Sequence, residues 1–119
     1  MKKNLKNPSL WNLIKLLKRK SKENKAPVWE ALAELLSSPR RLMRRVNISK
    51  IARYAKEGEI IAVPGKVLGA GSLSRKLTVA AYKFSKQARK KILEAGGECI
   101  SFYELLEKNP KGKNVRILG

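Results

Sequence analysis

The sequence predicts a small mixed α/β domain with short strands and helices, preceded by basic N-terminal helices. Three observations lead there. Of the 119 residues 43% are hydrophobic, enough for a chain of this length to bury one core. Apolar residues recur at helical spacing in the first half, and from Glu59 the period becomes extended. Gly and Pro punctuate the second half at short intervals, which keeps its elements short. The expected organisation is a basic extension over residues 1–27 and a single domain over 28–119, helical to 57 and mixed α/β from 58.

Ser9 has the chemistry of an N-cap, and Leu10, Leu13, Ile14 and Leu17 follow at i, i+3, i+4 and i+7, predicting an amphipathic helix to about residue 22. Pro27 suits the first turn of a second helix, with Val28, Trp29, Leu32, Leu35 and Leu36 on its apolar side and Glu30 and Glu34 toward water. Ser38-Pro39 ends it. The run Arg40-Arg41-Leu42-Met43-Arg44-Arg45 then reads as a short connection to a helix capped by Asn47, holding Ile48, Ile51, Ala52 and Ala55 and stopped by Gly58.

In the extended half, residues 59–63 read as a strand, Pro64-Gly65 as a turn and 66–68 as another strand. Gly69-Ala70-Gly71-Ser72 is a loop. The run 77–82 is a near-continuous apolar strand, of the kind buried on both faces. Ser85 caps a helix to Ala95 that Gly96-Gly97 ends, residues 98–100 form a strand, and Ser101 with Glu104 has the spacing of a capping box for a helix over 102–108. A turn at 109–113 and a closing strand at 115–117 complete the order.

Charge narrows the partner. There are 28 Lys and Arg against nine Glu, with no Asp and no His, and the net charge is +19. The excess is spread over the whole chain rather than confined to a tail. Phosphates of a polyanion would relieve this self-repulsion, and released counterions would add an entropic gain. Without His or Asp the usual general base is missing, as are the carboxylate clusters of Mg²⁺-dependent nucleases, so no catalytic residue is assigned. The Glu pairs 57/59, 94/98 and 104/107 read as caps and solvated surface. One Cys and no His cannot build a four-ligand zinc site, so no metal site and no cofactor are expected. Cys99 reads as a buried small hydrophobe. Lysines and arginines interrupt any signal-peptide core near the N-terminus and no apolar run reaches a membrane span, so a cytoplasmic protein is expected, with no membrane and no small-molecule substrate among its partners.

The candidate phosphate contacts fall in clusters. On the first helix Lys15, Lys18, Arg19 and Lys22 share a face where like charges repel, and phosphate contact is favoured over a merely solvated face. Arg40, Arg41, Arg44 and Arg45 offer planar forks that grip phosphate oxygens in pairs, and this cluster ranks first. Lys66, Arg75 and Lys76 flank the glycine-rich loop, which matches a dinucleotide fingerprint poorly because Ser74 stands at the third glycine and a strand follows. Lys86, Arg89 and Lys90 form an outward row on the helix after Ser85, and Lys111 and Lys113 lie in the last turn. Trp11 and Trp29 suit packing better than base stacking. Tyr82 and Phe84, alternating with Lys83, fit either role. No aromatic motif of the single-strand-binding kind is present.

Several blocks in fixed order also carry a family resemblance: residues 65–73, 77–85, Ala95-Gly96-Gly97, Glu104-Leu105, Asn109-Pro110-Lys111-Gly112 and Val115-Arg116-Ile117, with 47–51 and Gly58 upstream. Over roughly residues 28–119 the chain resembles the archaeal and eukaryotic-type large-subunit ribosomal protein eighteen. The resemblance implies a structural, rRNA-binding protein with a C-terminal α/β domain similar to that of bacterial ribosomal protein fifteen. It also implies large-subunit rRNA and neighbouring large-subunit ribosomal proteins as partners, no catalysis and no cofactor. The leading expectation is a constituent of the large ribosomal subunit that stabilises folded rRNA through phosphate contacts. A chromatin-like duplex DNA binder is the alternative, with an RNA-processing enzyme and a membrane-surface role for residues 9–22 as lesser rivals.

Overall fold

The computed structural model describes residues 8–37 and 44–118. Two helices come first, α1 (Pro8–Asn24) and α2 (Pro27–Leu36). Then follow β1 (Arg44–Asn47), α3 (Ile48–Tyr54), β2 (Ile60–Leu68), β3 (Thr78–Phe84) and α4 (Lys86–Glu94). The chain finishes with β4 (Glu98–Ile100), α5 (Phe102–Lys108) and β5 (Val115–Ile117). This is the mixed α/β architecture expected from the change of period.

Every strand pairing in the sheet is parallel, in the order β1-β2-β3-β4 with β5 also on β2. The central strand β2 pairs with β3 on one side. On the other it meets β5 along its first residues (Ile60↔Val115) and β1 along its last (Val67↔Val46). Parallel strands joined by crossovers need cover on both faces. Residues alternating along the strands supply it: Ala62, Ala80 and Ile100 pack into a cluster with Leu13, Ile14 and Leu17 of α1, Trp29, Leu32 and Leu36 of α2, and Phe102 and Leu105 of α5. Ile61, Val63, Val79 and Ala81 pack on the opposite face against Ile48 and Ile51 of α3 and Ala88 and Ile92 of α4. The product is a three-layer sandwich, and α1 is one of the helices that close it.

Four local expectations are corrected. Pro64-Gly65 is not a turn between two strands; β2 runs through it as one strand, with a register shift between Val63 and Lys66. A bulge tolerates a proline that cannot donate to the ladder. Gly65 is needed because it is paired with Arg44 of β1 at close quarters, and a Cβ there would stand 2.0 Å from the Arg44 carbonyl oxygen. Arg44 and Arg45 lie in β1 rather than in a connection, because Val46 gains a buried place beside Val67 when the segment is extended. Ser9 sits inside α1, which starts at Pro8, the proline supplying a φ suited to a first turn. Asn47 occupies the N-cap position of α3, but its side chain makes no capping bond there. Ser38, Pro39, Arg40, Arg41, Leu42 and Met43 fall outside the described residues.

The other caps form as read. The Ser85 hydroxyl accepts from the Ala88 amide, and Ser101 with Glu104 makes a reciprocal capping box. Trp29 is fully buried and its Nε1–H donates to the Pro110 carbonyl at 2.8 Å, tying the last turn to α2. Replacing Gly65 by Ala should therefore cost about 1–3 kcal/mol, the range for forced overpacking, by driving β1 off β2. Urea unfolding of Gly65→Ala against wild type measures it, and an unchanged midpoint would show that β1 does not press on this residue.

Candidate nucleic-acid interface

Helix α1 buries one stripe and leaves Lys15, Lys18, Arg19 and Lys22 exposed. Lys15 Nζ stands 5.7 Å from the centre of the Trp11 ring, which is itself half-buried against the core. Arg19 and Lys20 share Glu23, at 3.8 Å and 3.3 Å, and pairs this exposed add little to stability. Of the described candidate cations, Arg19 is the one with a carboxylate partner.

A second group forms where β1, β2 and β3 end. Arg45 is in register with Lys66, and Lys66 with Lys83, so three cations occupy neighbouring positions on three adjacent strands, about 4.8 Å apart from backbone to backbone. All three are exposed, as is Arg44 one step earlier. Like charges at paired positions oppose one another, at about 0.2–1 kcal/mol per pair, so the row lowers the stability of the free protein. Lys83 Nζ lies 5.7 Å from the Tyr82 ring centre. At the last residue of β3, the Arg89 guanidinium of α4 stands 5.2 Å from the Phe84 ring centre. Lys86 and Lys90 are exposed on the same helix. Tyr82 and Phe84 are half-buried against opposite core clusters, which gives both rings a packing role.

The glycine-rich loop is held from outside. Lys91 Nζ donates to the carbonyls of Gly69, at 2.6 Å, and of Gly71. The Asn47 side chain accepts from the Ala70 amide at 3.4 Å, and the Ser49 amide donates to the Ala70 carbonyl at 3.0 Å. Gly71 has a φ of +104°, and a Cβ there would meet Ser49 at 2.6 Å. Arg75 donates to the carbonyls of Ala52 and Ala55 at 2.7 Å and 3.0 Å, closing the C-terminal end of α3, so its guanidinium is committed to protein oxygens. Lys76 is exposed beside it. In the last turn Lys111 and Lys113 are exposed. The Asn109 side chain donates to the Lys113 carbonyl and accepts from its amide.

The structure thus gathers Arg45, Lys66, Lys83 and Arg89 at the strand ends, and sets the α1 row and the α4 row over opposite faces of the sheet. Arg40 and Arg41 lie outside the described residues. Sequence reasoning missed Lys83 and Lys91. Lys83 could have been found by extending the strand through Tyr82 to Phe84; Lys91 gives no local signal, because its partners are carbonyls some twenty residues away. Cys99 is half-buried, and burial pushes its thiol up while the Arg89 guanidinium pulls it the other way. It stays a protonated, unreactive thiol at neutral pH. Among the described residues no group of three or more Cys and Glu side chains is placed to hold a metal ion, and no helix is long and apolar enough to cross a membrane.

Replacing Lys91 by Met keeps most of its stem and removes two charge-assisted bonds, so the loop should loosen at a cost of about 1–3 kcal/mol. Faster hydrogen exchange at the Ser49 and Ala70 amides in Lys91→Met is the expected signature. Unchanged exchange at both would show that the lysine does not organise the loop.

Known proteins resemble this chain along its length. A family model described as ribosomal protein 60S L18 and 50S L18e matches residues 1–119. The large ribosomal subunit protein eL18 of Archaeoglobus fulgidus is 53% identical over 112 residues, covering 94% of this chain and 96% of that protein. Its counterpart in Methanoregula boonei is 52% identical over 112 residues, covering 94% and 93%, and that in Methanococcus maripaludis 48% identical with the same coverage. Likeness along the whole chain places this protein in the family of ribosomal protein 60S L18 and 50S L18e.

Proposed function

We propose that this protein binds and stabilises folded rRNA in the large ribosomal subunit, through contacts from its fixed cations to phosphate oxygens. It is a structural ribosomal protein of the cytoplasmic ribosome and not an enzyme, as its family implies. The observation that carries the finer reading is the disposition of charge: a net +19 chain whose described candidate cations, Arg19 and Arg75 apart, have no carboxylate or carbonyl partner among the described residues. Residues 28–119 act as one RNA-binding unit, and residues 1–27 add a further basic surface. Phosphates position such a protein without reading sequence, and for RNA, whose deep groove excludes side chains, backbone shape is what a rigid cation array can recognise. Neighbouring large-subunit proteins complete its surroundings.

Binding to a large-subunit rRNA fragment should weaken steeply as salt rises, and the double variant Lys86→Gln/Lys90→Gln should flatten the log–log slope by about 1.4–1.8, or 0.7–0.9 per lost phosphate contact. The same titration with duplex DNA as competitor separates the ribosomal reading from a general duplex binder. An unchanged slope would remove the α4 row from the interface, and DNA displacing rRNA at equal concentration would favour the duplex reading.

A further inference from the structure

We infer that the carboxyl edge of the sheet, where Arg45, Lys66 and Lys83 stand side by side on β1, β2 and β3, is a cradle for consecutive phosphates of one RNA strand. The inference rests on the rRNA-binding reading above and adds where on the protein the backbone lies. Three independent features point to this edge.

The first is register. Arg45↔Lys66 and Lys66↔Lys83 are backbone-paired positions, so the row is set by the ladder and not by side-chain chance. It extends over roughly 10 Å at the spacing of adjacent strands, a length suited to a short run of phosphates. The second is the distribution of acid. No carboxylate side chain occurs between Glu34 and Glu57, nor between Glu59 and Glu94, and these two stretches contain β1, α3, β2 and β3 and all of α4 but its last residue. The ion pairs of the described residues lie elsewhere, at Glu23, Glu59 and Glu98. A surface meant to be neutral would place a Glu beside such a row, whereas one meant for phosphate leaves it bare.

The third is rigidity. β2 is paired on both sides, so Lys66 extends from a backbone held by two neighbouring strands, and the neighbouring loop is tied down by Lys91, Asn47 and Ser49. Cations on a fixed frame lose less freedom on binding than cations on a flexible tail. Arg89 stands over the ring of Phe84, the last residue of β3, and adds near this end of the sheet a planar guanidinium able to grip a phosphate in two places.

The test uses the full chain and a large-subunit rRNA fragment, titrated over a range of KCl. The triple variant Arg45→Gln/Lys66→Gln/Lys83→Gln is compared with wild type and with Lys20→Gln/Lys56→Gln/Lys108→Gln, which removes the same charge away from the edge. The edge variant should lose about 2–3 units of log–log slope and the control less than one. Relief of like-charge contact should also leave the edge variant melting no lower than wild type at low salt. If the triple variant fails to fold, the single Lys66→Gln should still lose about 0.7–0.9 of slope. Equal slopes for edge variant and control, with wild type binding steeply, would overturn the inference alone. Wild type that does not bind rRNA would instead overturn the function on which it rests. An edge variant that keeps its rRNA affinity but loses affinity for polyglutamate would assign the row to an acidic protein and overturn the inference as well.

Discussion

A parallel strand hydrogen-bonded on both sides and buried on both faces is the constraint from which this molecule follows. β2 meets β3 along one side and β5 and β1 along the other, and its residues Ile61 to Gly65 and Val67 are buried. Along its buried stretch, Ile61 to Gly65, such a strand leaves no face for charge. Helices must cover both sides, α1, α2 and α5 on one and α3 and α4 on the other, and each spends its apolar stripe doing so. Charge is therefore pushed to the strand ends, the loops and the outer helix faces.

In the proposed function, that expulsion is what turns basic composition into a binding surface. A flexible polycation would bind phosphate too, but it would adapt to any polyanion with little regard for shape. Here Lys66 extends from the most firmly held strand, Arg45 and Lys83 are set beside it by register, and Arg89 is aligned on Phe84. Two of the remaining cations hold the frame itself: Arg75 closes α3 and Lys91 holds the glycine-rich loop. The same residue types thus serve as internal braces or stand exposed at the surface, and what separates them is whether a backbone carbonyl lies within reach. A protein of a ribosomal family gains from this division, because a rigid array can recognise the form of a folded RNA.

Much of the architecture was legible because local signals and packing agreed. The stripe Leu13, Ile14, Leu17, the caps at Ser85 and Ser101, and the short strands at 98–100 and 115–117 are read from spacing alone, and the structure repeats them. Two of the failures share one cause. Pro64-Gly65 carries a strong turn signal, yet burial of Val63 and Val67 on a continuous strand outweighs it and converts the turn into a bulge. Arg44 and Arg45 look like loop, yet two buried residues, Val46 and Ile48, draw the segment against β2. Partners distant in sequence decided both. For the same reason the charge clusters were visible while their juxtaposition was not: that Lys66 stands between Arg45 and Lys83 is a fact of register, which only the folded sheet supplies.

The accessibility of two side chains tests most directly whether the strand-end cations meet RNA. Lysine acetylation footprinting of the free protein and of intact large subunits, read residue by residue, compares Lys66 and Lys83 with Lys56. Strong protection of Lys66 and Lys83 in the particle, lost when the RNA is digested, is the predicted outcome. Labelling of both at the same rate in the free protein and in the particle would contradict the claim that the sheet's edge holds its cations against RNA.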